Sequence, residues 1–229
     1  MNLVRFLTDI LFPRQCVACG KSVACETICE PCLHTIPLSQ TLFCALCKAR
    51  LPGGRKVCHK NAPYILGAAA SYKNPALKEL VRQLKFKGVR DAADPIAELI
   101  AQYLTECRVS WAGFLIIPLP LSKKRERERG FNQAEEIARR VSLHIALPFI
   151  RGALVRIGHS KPQTETKTVA ERRLNVRDCF AIEKPECIAG KKILLLDDVT
   201  TSGATLHEAA QVLRSAGART IVAVVAAQA

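Results

Sequence analysis

Residues Ile193–Thr205 read "ILLLDDVTTSGAT". Four apolar residues run into two adjacent carboxylates, and a hydroxyl-rich segment then leads into a helical pattern. A continuous apolar run of this length fits a strand buried on both faces of a parallel sheet. In open α/β sheets, ligands bind beyond the carboxyl ends of the strands. That places Asp197 and Asp198 where a ligand sits. Thr201, Ser202, Gly203, Ala204 and Thr205 follow, and the pattern starts the next helix near Thr205. Backbone amides at a helix N-terminus, with Thr and Ser hydroxyls beside them, form a cradle for an anion. Gly203 lets the backbone come close to that anion. Carboxylates for sugar hydroxyls beside a cradle for phosphate predict a ribose phosphate. The plainer alternative is a structural strand-to-helix turn with an acidic rim.

Outward from this stretch, the chain from Tyr64 onward alternates apolar strands with amphipathic helices. "YILGAAASY", "FLIIPLP", "KKILLLDD" and "TIVAVVAA" read as strands. "NPALKELVRQLKFKG", "DPIAELIAQYLTE", "NQAEEIARRVSLHI" and "TLHEAAQVLRSAG" read as helices, with Gly88 and Gly217 closing the first and last. This order predicts an α/β domain with a parallel sheet and crossover helices over residues 63–229.

Residues 1–62 have a different texture. Eight of the eleven cysteines lie between Cys16 and Cys58. Cys16-x-x-Cys19 and Cys29-x-x-Cys32 are two knuckles, and paired knuckles complete a tetrahedral sulfur site suited to zinc. The alternative is free or redox-active thiols, and Cys25 reads as a spare thiol in either case. Cys44, Cys47 and Cys58 supply three ligands of a second candidate site. Its fourth ligand stays open: His59 is adjacent to Cys58, an awkward arrangement, and Asn61 stands where a closing cysteine belongs. The rival is a degenerate ribbon without metal. One or two structural zinc ions are therefore expected, and no catalytic one. Leu3, Phe6, Leu7, Ile10 and Leu11 follow a helical period, read as a short helix packing on the body. No signal peptide or membrane-spanning stretch is visible, so the expected location is cytoplasmic.

Lys and Arg number 34 against 20 Asp and Glu, a net charge of +14. Such an excess favours anionic partners, either phosphates or nucleic acid. Lys123, Lys124, Arg125, Arg127 and Arg129 alternate with Glu126 and Glu128 just after a predicted strand end. A solvated, salt-bridged face is the ordinary reading, and the position favours phosphate contact. A long polar segment holds Arg156, His159, Lys161, Gln163, Lys167, Arg172, Arg173 and Arg177. Such segments in compact domains are usually functional loops or disordered. Arg172 and Arg173 are placed to close on a phosphate or a nucleic-acid backbone. Few aromatics interleave these positions, so base stacking is not indicated apart from Phe131 and Phe180.

The pattern at 194–205, Asp-Asp-Val-x-Thr-Ser-Gly-x-Thr after apolar residues, resembles the phosphoribosyl pyrophosphate (PRPP) motif of type I phosphoribosyltransferases. "IPLPLSKKRERERGFNQAEEIA", "RIGHSKPQTETKTVAERRLNVRDCFAI" and the cysteine-rich module resemble the ComF/GntX group. These are double-zinc-ribbon, phosphoribosyltransferase-like proteins linked to bacterial DNA uptake. The resemblance implies that Asp197 and Asp198 hold the ribose hydroxyls and that Thr201 to Thr205 bind the 5′-phosphate. It implies that the Pro120–Lys124 turn, with Leu121, Ser122 and Lys123, lies near pyrophosphate and Mg²⁺. It also implies that the basic 156–177 segment covers the site. Lys123, Lys124, Arg172 and Arg173 become the candidates for binding single-stranded DNA, and other DNA-uptake proteins become candidate partners. The alternative implied function is transfer of ribose 5-phosphate from PRPP to a base or amine, with release of pyrophosphate.

Overall fold

The apolar run Ile193–Leu196 belongs to an inner strand of a six-stranded sheet. The computed structural model describes residues 14–23, 27–51, 58–59, 61–157 and 179–229. In chain order the strands are β1 (Leu42–Cys44), β2 (Arg50–Leu51), β3 (Ile65–Ser71), β4 (Phe114–Pro118), β5 (Leu154–Arg156), β6 (Phe180–Ile182), β7 (Lys192–Thr200) and β8 (Thr220–Gln228). The helices are α1 (Glu30–His34), α2 (Pro75–Phe86), α3 (Ala93–Glu106), α4 (Lys123–Arg129), α5 (Gln133–Ile145) and α6 (Ala204–Ser215). The main sheet runs β2-β1-β3-β8-β7-β4, and β5 pairs with β6 in a separate ribbon. From β3 to β4 every pairing is parallel, while β1 and β2 add an antiparallel edge.

The pleat of β7 divides the core in two. Leu194 and Leu196 join Val222, Val224, Ile100, Ile137 and Val141 on the face covered by α3 and α5. Ile193 and Leu195 join Ile221, Ala223, Val225, Leu206, Ala210 and Leu213 on the face covered by α6. Successive side chains on a strand point to opposite faces, so a strand buried on both sides must be apolar at every position. Each fully buried Leu or Ile contributes roughly 1.5–3 kcal/mol.

The cysteine-rich module joins this sheet directly, because Leu42–Cys44 of β1 pair with Gly67–Ile65 of β3. Gly67 has a packing reason for being glycine. A Cβ there would stand 3.1 Å from the Tyr103 ring and from Val224. Tyr103 passes through that gap, and its hydroxyl donates to the Thr41 carbonyl at 2.8 Å. Ile28, Leu33 and Ile36 of the module belong to the same core cluster as α2 and α3.

Three local features differ from the sequence reading. β7 continues past the aspartates to Thr200, held by its pairing with Gln228 of β8. The helix after the loop begins at Ala204, one residue early. The alternating charges at 123–129 form α4, capped by the Ser122 hydroxyl, which accepts from Arg125 N–H, and by left-handed Gly130. Among the described residues no helix is long and apolar enough to cross a membrane. The expected N-terminal helix lies outside the described residues.

Candidate ribose-phosphate site and metal centres

Because β7 is pleated, Asp197 and Asp198 do not act side by side. Asp198 shares the side of Leu194 and Leu196, is buried, and meets Lys85 Nζ at 2.8 Å. Asp197 shares the side of Ile193 and Leu195 and faces the loop at the start of α6. A cleft of about 230 Å³ is lined by Asp197, Lys85, Tyr72 and the loop Thr201, Ser202, Gly203, Ala204 and Thr205. Within the loop, the Ser202 hydroxyl accepts from Ala204 N–H at 3.4 Å, and the Gly203 carbonyl accepts from His207 N–H at 2.8 Å. Gly203 has a φ of +76°, the left-handed turn that swings the chain into the helix.

The electrostatics are those of a crowded carboxylate pair ringed by cations. Burial, and then the neighbouring Asp198 charge, push Asp197 well above the usual carboxylate range, while Lys85 pulls it down. Burial lowers Arg129, and attraction from Asp198 and Asp197 opposes that shift. Burial likewise lowers Arg156, which also feels Asp197. Lys85 contacts Asp198 and lines the cleft with the loop, and Arg129 and Arg156 are close enough to feel the charge of the pair. Sequence reasoning named Arg129 and Arg156 among the basic residues but missed Lys85. Leu121, Ser122 and Lys123 do not line the cleft. They follow β4, whose Pro118 pairs with Leu196, and Leu119 N–H donates to the Leu196 carbonyl at 2.8 Å. That places their turn alongside the end of β7, with Ser122 engaged as the cap of α4.

The cysteines gather into two tetrads. Cys16, Cys19, Cys29 and Cys32 form one; Cys44, Cys47, Cys58 and His59 form the other, with the ligand atoms of each within 4.8 Å of one another. Four sulfurs around a zinc at about 2.3 Å stand about 3.8 Å apart, and a sulfur and a ring nitrogen about 3.6 Å. Cys19 Sγ and Cys29 Sγ are 3.8 Å apart, and Cys44 Sγ and His59 Nδ1 are 3.6 Å apart. His59 corrects the expectation that its adjacency to Cys58 hinders joint ligation. The chain bends at 58–59, and the near ring nitrogen, Nδ1, comes within 3.2 Å of Cys58 Sγ.

Thiol acidities fit the same reading. Burial raises Cys16, but N–H groups of Cys29, Cys19 and Ala18 outweigh it and bring the thiol to about 6. Cys44 is likewise raised by burial, yet is brought to about 6 by N–H groups of Cys47 and Leu46. Hydrogen bonding with Cys29 and Cys19 pushes Cys32 up to about 12, and with Cys47 and Cys44 pushes Cys58 up to about 12. Each tetrad thus pairs an easily ionised thiol with one that resists ionisation, a crowding of charge that a divalent cation relieves. The described cysteines form no disulfide.

Comparison with known proteins places this geometry in a family. The phosphoribosyl transferase domain family matches residues 127–229. Competence protein ComFC of Bacillus subtilis is 34% identical over 150 residues, covering 63% of this chain and 56% of ComFC. DNA utilization protein YhgH of Escherichia coli O157:H7 is 30% identical over 204 residues, covering 85% of this chain and 87% of that protein. The chain belongs to the ComF family. Its α/β part has the phosphoribosyltransferase fold. Among solved structures, glutamine PRPP amidotransferase from B. subtilis, complexed with ADP and GMP, matches at a TM-score of 0.38 and 17% identity, over 58% of this chain and 26% of its own.

The basic surface of this ComF-family chain differs in part from the sequence reading. Lys123 and Lys124 are exposed on the first turn of α4. Arg172, Arg173 and His159 lie outside the described residues. Neither Phe131 nor Phe180 is available for stacking, because both are buried, under the guanidinium groups of Arg90 and Arg156 respectively. Among the described residues, Phe86 is an exposed aromatic near the site, 71% exposed, with Arg129 over its ring at 5.4 Å. It directly follows Lys85. The available signal was an aromatic on the polar side of an amphipathic helix.

Proposed function

We propose that this ComF-family protein binds PRPP together with Mg²⁺ and serves the handling of incoming single-stranded DNA. One observation carries the ligand reading: Asp197 and the Thr201–Thr205 loop line one cleft, with Lys85 beside them. The loop amides and hydroxyls hold the 5′-phosphate, and Asp197 accepts from a ribose hydroxyl. Asp198, fixed by Lys85, orients the end of β7. Lys85, Arg129 and Arg156 offer positive charge to the pyrophosphate. Mg²⁺, arriving with pyrophosphate, would neutralise part of its charge. Two structural zinc ions fit the tetrads. The link to DNA uptake rests on the names of the relatives and on the net charge of +14.

The test is calorimetric titration of PRPP with Mg²⁺ into wild type and into a variant carrying Asp197→Ala and Asp198→Ala. Loss of the Asp197 hydrogen bond to the sugar costs about 1.5–3 kcal/mol, and loss of the orienting Asp198 adds to it. Wild-type affinity in a folded double variant refutes the sugar-binding assignment.

The three cations that act on the aspartate pair favour a second reading, in which PRPP is turned over. The C1–O bond to pyrophosphate breaks, a C1–N bond to a base or amine forms, and the acceptor loses its proton. Positioning and charge stabilisation are what the residues supply. Pyrophosphate release with any one acceptor establishes this reading.

A further inference from the structure

The phosphate loop touches the cysteine-rich module. A Cβ on Gly203 would stand 2.8 Å from Tyr64 Oη and 3.7 Å from Lys48 Nζ. Tyr64 lies immediately before β3, and Lys48 immediately after the Cys44–Cys47 turn. Two groups from outside the loop therefore stand against its glycine. One of them is a cation whose Nζ is buried.

The turn that carries Cys44 and Cys47 of the second tetrad fixes where Lys48 points. Its N–H donates to the Cys44 carbonyl at 2.9 Å, and Cys44 N–H donates to the Ala49 carbonyl at 2.9 Å. Lys48 itself is left-handed, with a φ of 60°. A non-glycine residue adopts that conformation at a cost and keeps it only where its surroundings impose it. Here the knuckle imposes it, and the side chain leaves the knuckle toward Gly203. A charge in such a buried position acts through a lower dielectric than a surface lysine does.

We propose that Lys48 is part of the phosphate cradle. Its ammonium supplies fixed positive charge behind Gly203, and metal in the Cys44–Cys47–Cys58–His59 tetrad sets how tightly the loop holds a ribose phosphate. The proposal rests on the ribose-phosphate reading above and adds to it a role for the metal module: the tetrad carries a residue of the ligand site. Lys48 is a positioning residue, acting on the phosphate group and not on the reacting carbon.

The experiment titrates ribose 5-phosphate, without Mg²⁺, into the full zinc-loaded chain and into Lys48→Met, Lys48→Gln, His59→Ala and Asp197→Asn variants. Lys48→Met keeps the stem and removes the charge, and Lys48→Gln is the second choice if the methionine variant does not fold. Either lysine variant is expected to bind roughly tenfold more weakly, the scale of one partly buried charge. Its zinc content should be unchanged, and its affinity should depend less steeply on salt. His59→Ala should lose one zinc and show the same loss of affinity. A folded lysine variant with wild-type affinity and salt dependence overturns the assignment of Lys48. If wild type binds, Asp197→Asn binds weakly and the lysine variants bind normally, only the Lys48 proposal falls. If wild type itself fails to bind ribose 5-phosphate, the proposal and the reading beneath it fall together.

Discussion

Lys85 Nζ and Asp198 Oδ1 meet at 2.8 Å with side chains only 20% and 7% exposed, joining α2 to the end of β7. An ion pair so enclosed is more than surface decoration, because removing one partner leaves a buried charge without compensation. Lys85→Met should therefore destabilise the fold by about 2–4 kcal/mol, measured by denaturant unfolding at neutral pH. It should also weaken PRPP binding beyond any effect of unfolding. A variant as stable as wild type would show that Asp198 recruits another cation, Arg129, which already feels its charge, being a candidate.

Asp197 predicts a pH dependence of opposite sign to that of an ordinary salt-bridged carboxylate. Burial and the charge of Asp198 raise it from the usual 3.8 to about 8 in the folded state. The charged form is thus disfavoured by folding. The penalty is absent below about pH 4, grows as pH rises through the interval, and is constant above about pH 8. Asp197→Asn removes it. The variant should match wild type near pH 4 and exceed it by about 1–3 kcal/mol at pH 8.5, a figure reduced for partial solvent access. It should bind ribose 5-phosphate poorly at both values. Equal stability of the two proteins at pH 8.5 rejects the burial penalty.

Two zinc ions per chain are expected by mass spectrometry of the purified protein, and each tetrad should report separately. Cys16→Ser with Cys29→Ser should remove one equivalent, and His59→Ala the other. Loading metal into the stripped protein should release protons, since Cys32 and Cys58 hold theirs up to about 12. The module shares a core with α2 and α3 through Ile28, Leu33 and Leu42, so chelation should lower the thermal midpoint of the whole chain. An unchanged zinc count in His59→Ala identifies another fourth ligand.

The aspartates and their loop were legible because a doubly buried strand must be apolar throughout, and the polar residues ending that run stand out. The sequence reading gave Asp197 and Asp198 one role; adjacent strand residues point apart, and the structure sets Asp198 on Lys85 and Asp197 in the cleft. Lys85 was hidden. Nothing local separates it from its neighbours on the basic side of α2, and only the topology carries it to β7. His59 was discounted by reasoning from adjacency in an extended chain, which fails where the chain bends. The edge strands β1 and β2, of three and two residues, are too short to show a period of two. α4 lacks an apolar stripe, so its signals were confined to Ser122 and Gly130 at its ends.

Binding of single-stranded DNA should show the salt dependence of phosphate neutralisation, a log–log slope of about −0.7 for each phosphate contacted. Replacing Lys123, Lys124, Arg172 and Arg173 with alanine should weaken binding to every sequence and flatten that slope. Phe86→Ala tests a different contribution. Phe86 is exposed, lies under Arg129 and neighbours Lys85, a position open to a stacked base. Its loss should cost about 1–3 kcal/mol of affinity, the range for one base on an aromatic ring, while leaving the salt slope unchanged. The module has its own basic residues, including Arg14, Lys21, Lys48 and Arg50. A variant of the full chain with Lys21→Ala and Arg50→Ala therefore serves as the comparison, and it should bind nearly as wild type. If that variant loses binding while the four-alanine and Phe86→Ala proteins keep it, the module is the DNA-binding surface. Failure of wild type to bind at low salt leaves the net charge of +14 to small phosphate ligands, and the transferase reading then stands without the DNA.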